Sequence, residues 1–264
     1  MSLAIAVCLC FGVLAGLSGA KPQTRIIGGE TVNIQDYPYQ ISMRWTYGVP
    51  KPMHFCGGSI VSRYHIVTAA HCVDNKRTPD MLRYIKIYTG TSRSDSTGGT
   101  GKAHTVKSVL VHPGYTGAST TYLNDIAIVT LREPIDFNQY QKAINLPTQD
   151  VHYRQASSAV VTGWGSTRSG SQDTPINLQK APMRLMTSTQ CQRQLPFNLR
   201  NSQVCAIQRH GVGVCTGDSG GPLAVNGELV GVASYVVECG KGHPDVYTNV
   251  YSYVNFIKKA IASP

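Results

Sequence analysis

An all-β architecture, barrel or sandwich, is the fold class this sequence predicts, and three observations predict it. Short runs rich in β-branched and aromatic residues recur at 59–68, 84–88, 126–131, 159–162 and 228–234. Gly, Pro, Asn and Ser punctuate them, with 26 Gly and 14 Pro in 264 residues, a pattern of many turns between short strands rather than of alternating βαβ units. Only the C-terminus carries a helical period: Val250, Val254, Ile257 and Ile261 share one face of a helix, and core packing alone explains that face.

Composition fits a folded chain. With 42% hydrophobic and 14% charged residues, long disorder and coiled coil are disfavoured. Length leaves open whether the core is one unit or two. Residues 138–155 are polar with one Pro and lie between two strand-rich halves, so they suit a link between two barrels. Residues 92–101, rich in Ser, Thr and Gly, read as a mobile surface loop that lacks the acidic cluster of a calcium site. No internal repeat is visible.

At the start, residues 3–17 are apolar, and Ser18, Gly19 and Ala20 form a small-residue cleavage site. This reads as a secretory leader, residues 1–20, removed after Ala20. A membrane anchor would need ~20 apolar residues, more than this run supplies. The expected location is therefore extracellular, with no membrane attachment once the leader is gone. Cys8 and Cys10 leave with it, and Cys56, Cys72, Cys191, Cys205, Cys215 and Cys239 remain. An even number in an oxidising compartment favours disulfides, though counting leaves their pairing open. His54 stands near Cys56 and His71 beside Cys72, but no CxxC or HExxH accompanies them, so no spacing resembles a zinc site. The formal charge is +10 with basic residues scattered along the chain, which suits a solvated surface better than a nucleic-acid groove.

Three motifs carry chemistry. In Gly217-Asp218-Ser219-Gly220-Gly221-Pro222 the glycines allow a tight turn, so the amides of Gly217 and Ser219 can aim at one spot. A serine hydroxyl is a weak nucleophile that needs a base beside it and donors for the developing oxyanion. Thr68-Ala69-Ala70-His71-Cys72 offers a histidine among small residues, its backbone pinned by a neighbouring cysteine. Asn124-Asp125-Ile126-Ala127-Ile128 sets a carboxylate at the head of an apolar strand, where burial is costly without a partner. Singly, each has a plain explanation: a turn serine, a structural histidine, a strand-capping aspartate.

Together and in this order, the motifs resemble those of the chymotrypsin-like serine proteases. The resemblance covers about residues 26–260 and includes Arg25-Ile26-Ile27-Gly28-Gly29, His54-Phe55-Cys56-Gly57-Gly58-Ser59 and Gly163-Trp164-Gly165. It implies a peptidase domain over 26–264 made of two six-stranded antiparallel β-barrels, parted near 138–155, with the active site between them and the C-terminal helix outside. It implies a serine endopeptidase in which His71, Asp125 and Ser219 act as catalytic triad, with the Gly217 and Ser219 amides as oxyanion hole and no metal or organic cofactor needed. Ser234 matches a serine that supports the aspartate. Ser234 to Val236 matches an edge that pairs with extended substrate, with Tyr235 where the family more often has Trp. The implied bridges are Cys56 to Cys72, Cys191 to Cys205 and Cys215 to Cys239.

The resemblance further implies a zymogen. Residues 21–25 would be an activation peptide cut between Arg25 and Ile26 by a trypsin-like protease, after which the Ile26 amine pairs with Asp218. Protein or peptide substrates and protein inhibitors are the implied partners of a monomer. Specificity in the family is set by a pocket whose base corresponds to Gly213, where trypsin-like members carry Asp. Gly213, Val214, Val236 and Asp245 together look most like neutrophil elastase, which implies cleavage after small or medium aliphatic residues. The competing readings are that Asp245 is exposed at the pocket base and accepts a cation, or that the pocket still admits Phe and Tyr, giving chymotrypsin-like or broad collagenolytic specificity; a non-catalytic secreted homologue is another.

Overall fold

Strand alternation builds two closed sheets. In the computed structural model, which describes residues 26–76, 78–153, 158–171 and 173–263, a two-residue strand β1 (Glu30–Thr31) precedes the first barrel. That barrel comprises β2 (Gln40–Trp45), β3 (Met53–Ile60), β4 (His65–Thr68), β5 (Ile85–Thr89), β6 (Lys102–Val111) and β7 (Ala127–Leu131), closed in the order β2-β3-β4-β7-β6-β5. Every pairing is antiparallel. β5 shows why the sequence folds this way: Ile85, Ile87 and Thr89 point inward and are buried, while Lys86 and Tyr88 face out, the period of a half-buried strand. The run 59–68 is not one strand. It spans the end of β3, a turn and β4, because the Ser62 hydroxyl accepts the Tyr64 and His65 N–H groups and turns the chain.

The second barrel comprises β8 (Ser158–Gly163), β9 (Gln179–Leu185), β10 (Gln203–Ile207), β11 (Pro222–Val225), β12 (Glu228–Val236) and β13 (Asp245–Asn249). Its order is β9-β10-β13-β12-β11-β8, and β8 returns to β9 to close it; β1 lies on the part of β9 that β10 leaves free. Between Leu131 and Ser158 the chain runs from one barrel to the other. The Ile144 N–H donates to Ile60 O at 2.9 Å, and the Leu229 N–H to Asn145 O at 2.9 Å. The leader and activation peptide expected at 1–25 lie outside the described residues.

Four α-helices occur among the described residues, besides short 3-10 turns: α1 (Ala70–Val73), α2 (Pro79–Leu82), α3 (Ser188–Gln192) and α4 (Val254–Ala262). Only α4 is long enough to show a period, which is why the sequence reveals it alone. Val250, Tyr253 and Ile257 join the apolar cluster that fills the first barrel, so the C-terminus packs on the half of the molecule made first. No helix is long and apolar enough to cross a membrane among the described residues.

The segment 92–101 departs from the expectation of a loose loop. Ser94 is buried and its hydroxyl donates to Pro175 O at 2.8 Å, Trp164 Nε1 donates to Ser92 O at 3.1 Å, and Arg93 bridges to Asn177. The Ser94 hydroxyl and the backbone of 92–93 thus dock on the second half, while residues 97–100 stay exposed.

Fully buried Ile257 is a single anchor for α4. Ile257→Ala should lower unfolding free energy by about 2–5 kcal/mol, measured by urea denaturation, through lost burial and a residual cavity.

Candidate active site

Three distant stretches meet between the barrels. His71 sits on α1, one residue from Cys72, whose bridge to Cys56 ties the helix to β3. Asp125 stands just before β7 and is wholly buried. A carboxylate there needs donors, and three supply them. The His71 N–H donates to Oδ1 at 3.0 Å, His71 Nδ1 lies 2.8 Å from Oδ2, and the Ser234 hydroxyl donates to Oδ2 at 2.6 Å. Ser234 reaches it because the register of β12 against β13 shifts between Ala233 and Tyr235, a bulge that re-aims the residue between them. With Nδ1 engaged, Nε2 is the ring nitrogen left for the cleft, which His71 and Ser219 line together.

Ser219 stands in a turn that glycine makes feasible. Gly220 has φ of +76° and a Cβ there would lie 2.2 Å from Thr68 Oγ1; Gly217 has φ of +99°. The peptide planes are fixed by their carbonyls. Thr216 O accepts the Ser166 N–H at 2.7 Å, and Asp218 O accepts the Gly221 N–H at 2.9 Å. In a trans peptide the N–H opposes its C=O, so the Gly217 and Ser219 N–H groups lie on the opposite sides of those planes. Both residues line the cleft.

Below this turn Asp218 is buried, accepting the Gly165 N–H at 2.7 Å and the Cys215 N–H at 3.0 Å. Burial pushes its carboxyl up to about 6, against the two amides that favour its charge. Ile26 lies fully buried in the apolar cluster of the second barrel, with φ of +52°, a conformation that a β-branched residue rarely takes. Arg25 is outside the described residues.

One wall of the cleft is Val214, Ala233, Val236 and the bridged Cys215 and Cys239. Asp245 sits behind it, 2% exposed, with Oδ2 accepting the Val214 N–H at 2.9 Å and 3.0 Å from where a Gly213 Cβ would stand. Burial pushes this carboxyl up to about 8; the Val214 amide opposes that rise and the Asp218 charge adds to it. The sequence left open whether Asp245 is screened or exposed, and the side chain is screened.

The bridges are Cys56–Cys72, Cys191–Cys205 and Cys215–Cys239, the pairings that the resemblance implies. Sγ of Cys56 and Cys72 and a His71 nitrogen lie within 4.8 Å of one another, but the two sulfurs are bonded to each other and have no thiolate to offer a metal. Tyr122 escaped sequence reasoning altogether. It stands edge-on to His71 with ring centroids 5.5 Å apart and stacks on Tyr235 at 5.7 Å, while Phe197 meets Tyr235 at 5.4 Å. Nothing periodic marks a tyrosine in a turn; only its φ of +55° sets it apart.

Two closed antiparallel barrels with a buried Asp–His pair and a serine facing the cleft between them define a chymotrypsin-like serine hydrolase class, and comparison with known proteins agrees. The trypsin family model, described as Trypsin, matches residues 26–257. The chain is 30% identical over 256 residues to trypsin II-P29 of Gallus gallus, covering 96% of each. It is 32% identical over 234 residues to chymotrypsin-2 of Vespa crabro, covering 89% of this chain and 99% of the relative. Against cationic trypsin-3 of Rattus norvegicus the identity is 31% over 261 residues, covering 97% and 98%. The chain belongs to the trypsin family and is a serine endopeptidase.

Asp245 gives a test with a definite sign. Its folded carboxyl holds a proton to about pH 8, far above the unfolded value, so the stability it lends is full below about pH 4 and lost as pH rises through 8. The Tm difference between Asp245→Asn and the parent should therefore widen in favour of the variant from pH 5 to pH 9. A constant difference in scanning calorimetry would contradict the buried carboxyl.

Proposed function

We propose that this endopeptidase is a secreted zymogen whose active form cleaves after small or medium aliphatic residues through an acyl-enzyme. The shared cleft of His71 and Ser219, with Asp125 holding the far side of the imidazole, is the observation that carries the catalytic reading. His71 Nε2 takes the proton of Ser219 as its oxygen attacks the peptide carbonyl, then passes it to the leaving amine. Asp125 keeps the ring oriented and stabilises the imidazolium, and Ser234 holds that carboxylate in turn. The Gly217 and Ser219 amides receive the oxyanion, and water then releases the acyl group. Ser219→Ala should abolish the acyl-enzyme burst and remove nearly all steady-state turnover while leaving the fold intact, with a residual acceleration of ~10³ over water.

Activation follows from Asp218 and Ile26. A cut after Arg25 turns the Ile26 amide into an ammonium, removes the preceding carbonyl that makes its backbone conformation costly, and supplies the buried Asp218 with a cation. That pair sits beneath the Gly217–Ser219 turn and supports its geometry. Because the ammonium gains a partner, its pKa rises above the ~7.7–8.0 of a free α-amine. Activity is then supported below that range and lost as pH climbs through the raised value. Edman sequencing of active enzyme should read Ile-Ile-Gly-Gly, and an acetylated Ile26 amine should leave it inactive.

Specificity follows from the wall of the cleft. Val214 and Val236 narrow it, Gly213 offers no side chain, and Asp245 is screened and protonated at neutral pH, so a cationic substrate finds no counter-charge. Matched peptide amides should rank Val above Phe above Arg in kcat/KM, and Val236→Gly should raise Phe, with methyl-scale discrimination of ~1–3 kcal/mol. A parent enzyme that prefers Arg would refute this pocket. The same wall makes Arg25 a poor site for self-cleavage, so a separate trypsin-like activator is required.

A further inference from the structure

One buried amide joins two loops that border the cleft. Gln203 opens β10, paired across from Thr248, and is 2% exposed. Its backbone N–H donates to Arg200 O at 2.9 Å while its Oε1 accepts the Arg200 N–H at 3.1 Å, a reciprocal pair that fixes the side chain. An N–H only donates, so the amide oxygen faces Arg200, and Nε2 is left to donate to Thr121 O at 3.0 Å.

The carbonyl it holds belongs to a strained turn. Thr121 and Tyr122 have φ of +58° and +55°, in the left-handed region that β-branched and bulky residues avoid. Thr121 C=O and Tyr122 N–H share one peptide plane, and that plane is pinned on both sides: Gln203 holds the oxygen, and Gly117 O accepts the N–H at 3.0 Å. Such a turn persists only where its surroundings over-determine it, and among the described residues Gln203 is the group from another element that hydrogen-bonds 117–123. Without that bond the turn relaxes toward negative φ. A change of φ at Tyr122 re-aims the ring that now stands edge-on to His71 and stacked on Tyr235.

We propose that Gln203 is a positioning residue for substrate choice: by holding the Thr121–Tyr122 peptide it keeps Tyr122 wedged against His71 and Tyr235, and so limits the side chain that precedes the cleaved residue. An extended substrate paired with the Ser234–Val236 edge alternates its side chains. The cleaved residue turns toward Val214 and Val236, so the one before it faces the other way, toward His71 and Tyr122. With its ring centroid 5.5 Å from that of His71 and 5.7 Å from that of Tyr235, Tyr122 leaves room there for a small side chain and excludes a large one.

This rests on the aliphatic specificity proposed above, and two readouts separate the ideas. The first is the ¹H–¹³C spectrum of histidine-labelled activated enzyme, in which the Tyr122 ring shifts the His71 signals whether or not the enzyme turns over. The second is kcat and KM on matched peptide amides with Ala or Phe before the cleaved Val, and on an acetyl-Val amide with no residue there. Gln203→Asn, whose amide stands about 1.5 Å short of Thr121 O, and Gln203→Met, which has no donor, should each move the His71 signals toward those of Tyr122→Leu. Each should raise kcat/KM on the Phe peptide about tenfold, through KM, and leave the Ala peptide and the acetyl-Val amide unchanged. In the Tyr122→Leu background Gln203→Asn should add nothing further. Gln203→Asn keeps a polar amide in place, so it serves even where Gln203→Met fails to fold. Unmoved His71 signals, a gain on the Phe peptide that adds to that of Tyr122→Leu, or a loss of kcat shared by all three substrates would overturn the proposal, the last marking Gln203 as part of the fold alone. A parent that prefers Phe or Arg at the cleaved position would instead overturn the aliphatic specificity, and the same Ala and Phe pair set before that residue then decides the role of Gln203.

Discussion

Asp125 is the constraint around which the two barrels are arranged. A carboxylate with no exposure costs several kcal/mol unless donors replace its water, and the donors here come from both halves. α1 of the first barrel supplies the His71 amide and ring, and β12 of the second supplies Ser234. Thr248 on β13 adds a hydroxyl to the Asp125 carbonyl at 2.7 Å. Neither barrel alone can satisfy this residue, so correct docking of the halves and correct orientation of His71 are the same event.

Two further buried carboxyls lie in the second barrel, and each is paid for differently. Asp218 and Asp245 are close enough for the charge of one to raise the pKa of the other. Asp245 resolves the conflict by keeping its proton, which also leaves the adjoining pocket wall uncharged. Asp218 is held by the amides of Gly165 and Cys215, and burial raises its carboxyl only to about 6. Two aspartates of the same sequence type thus take opposite protonation states at neutral pH, one beside two amides and the other beside one amide and a second carboxylate.

Much of this was legible in the sequence because its signals are local. Tight turns need glycine, so Gly217 and Gly220 announced the serine turn; strands alternate, so β5 and β7 were visible as runs. What was hidden is tertiary. Arg44 reads as an ordinary outward-facing strand residue until the 92–98 segment folds over it, and that segment reads as mobile until its carbonyls are seen around a guanidinium. Gln203 reads as the start of one more strand, and its partners lie on two loops that no residue pattern joins to it. Tyr122 and Phe197 meet Tyr235 only once three separate stretches converge. The pairing of the six cysteines came from resemblance, since counting could not supply it.

Two segments far apart in the chain are exchanged between its halves. Ile26, the first described residue, is packed in the core of the second barrel, and Val250, Tyr253 and Ile257, among the last, complete the core of the first. A nascent chain that has emerged only as far as β7 therefore has all six strands of the first barrel but lacks the C-terminal residues that complete its core, and the place of Ile26 has not yet been made. Synthesis must run almost to its end before either core is complete. A truncated product of translation is left with exposed apolar surface, visible to quality control, instead of a half-built protease.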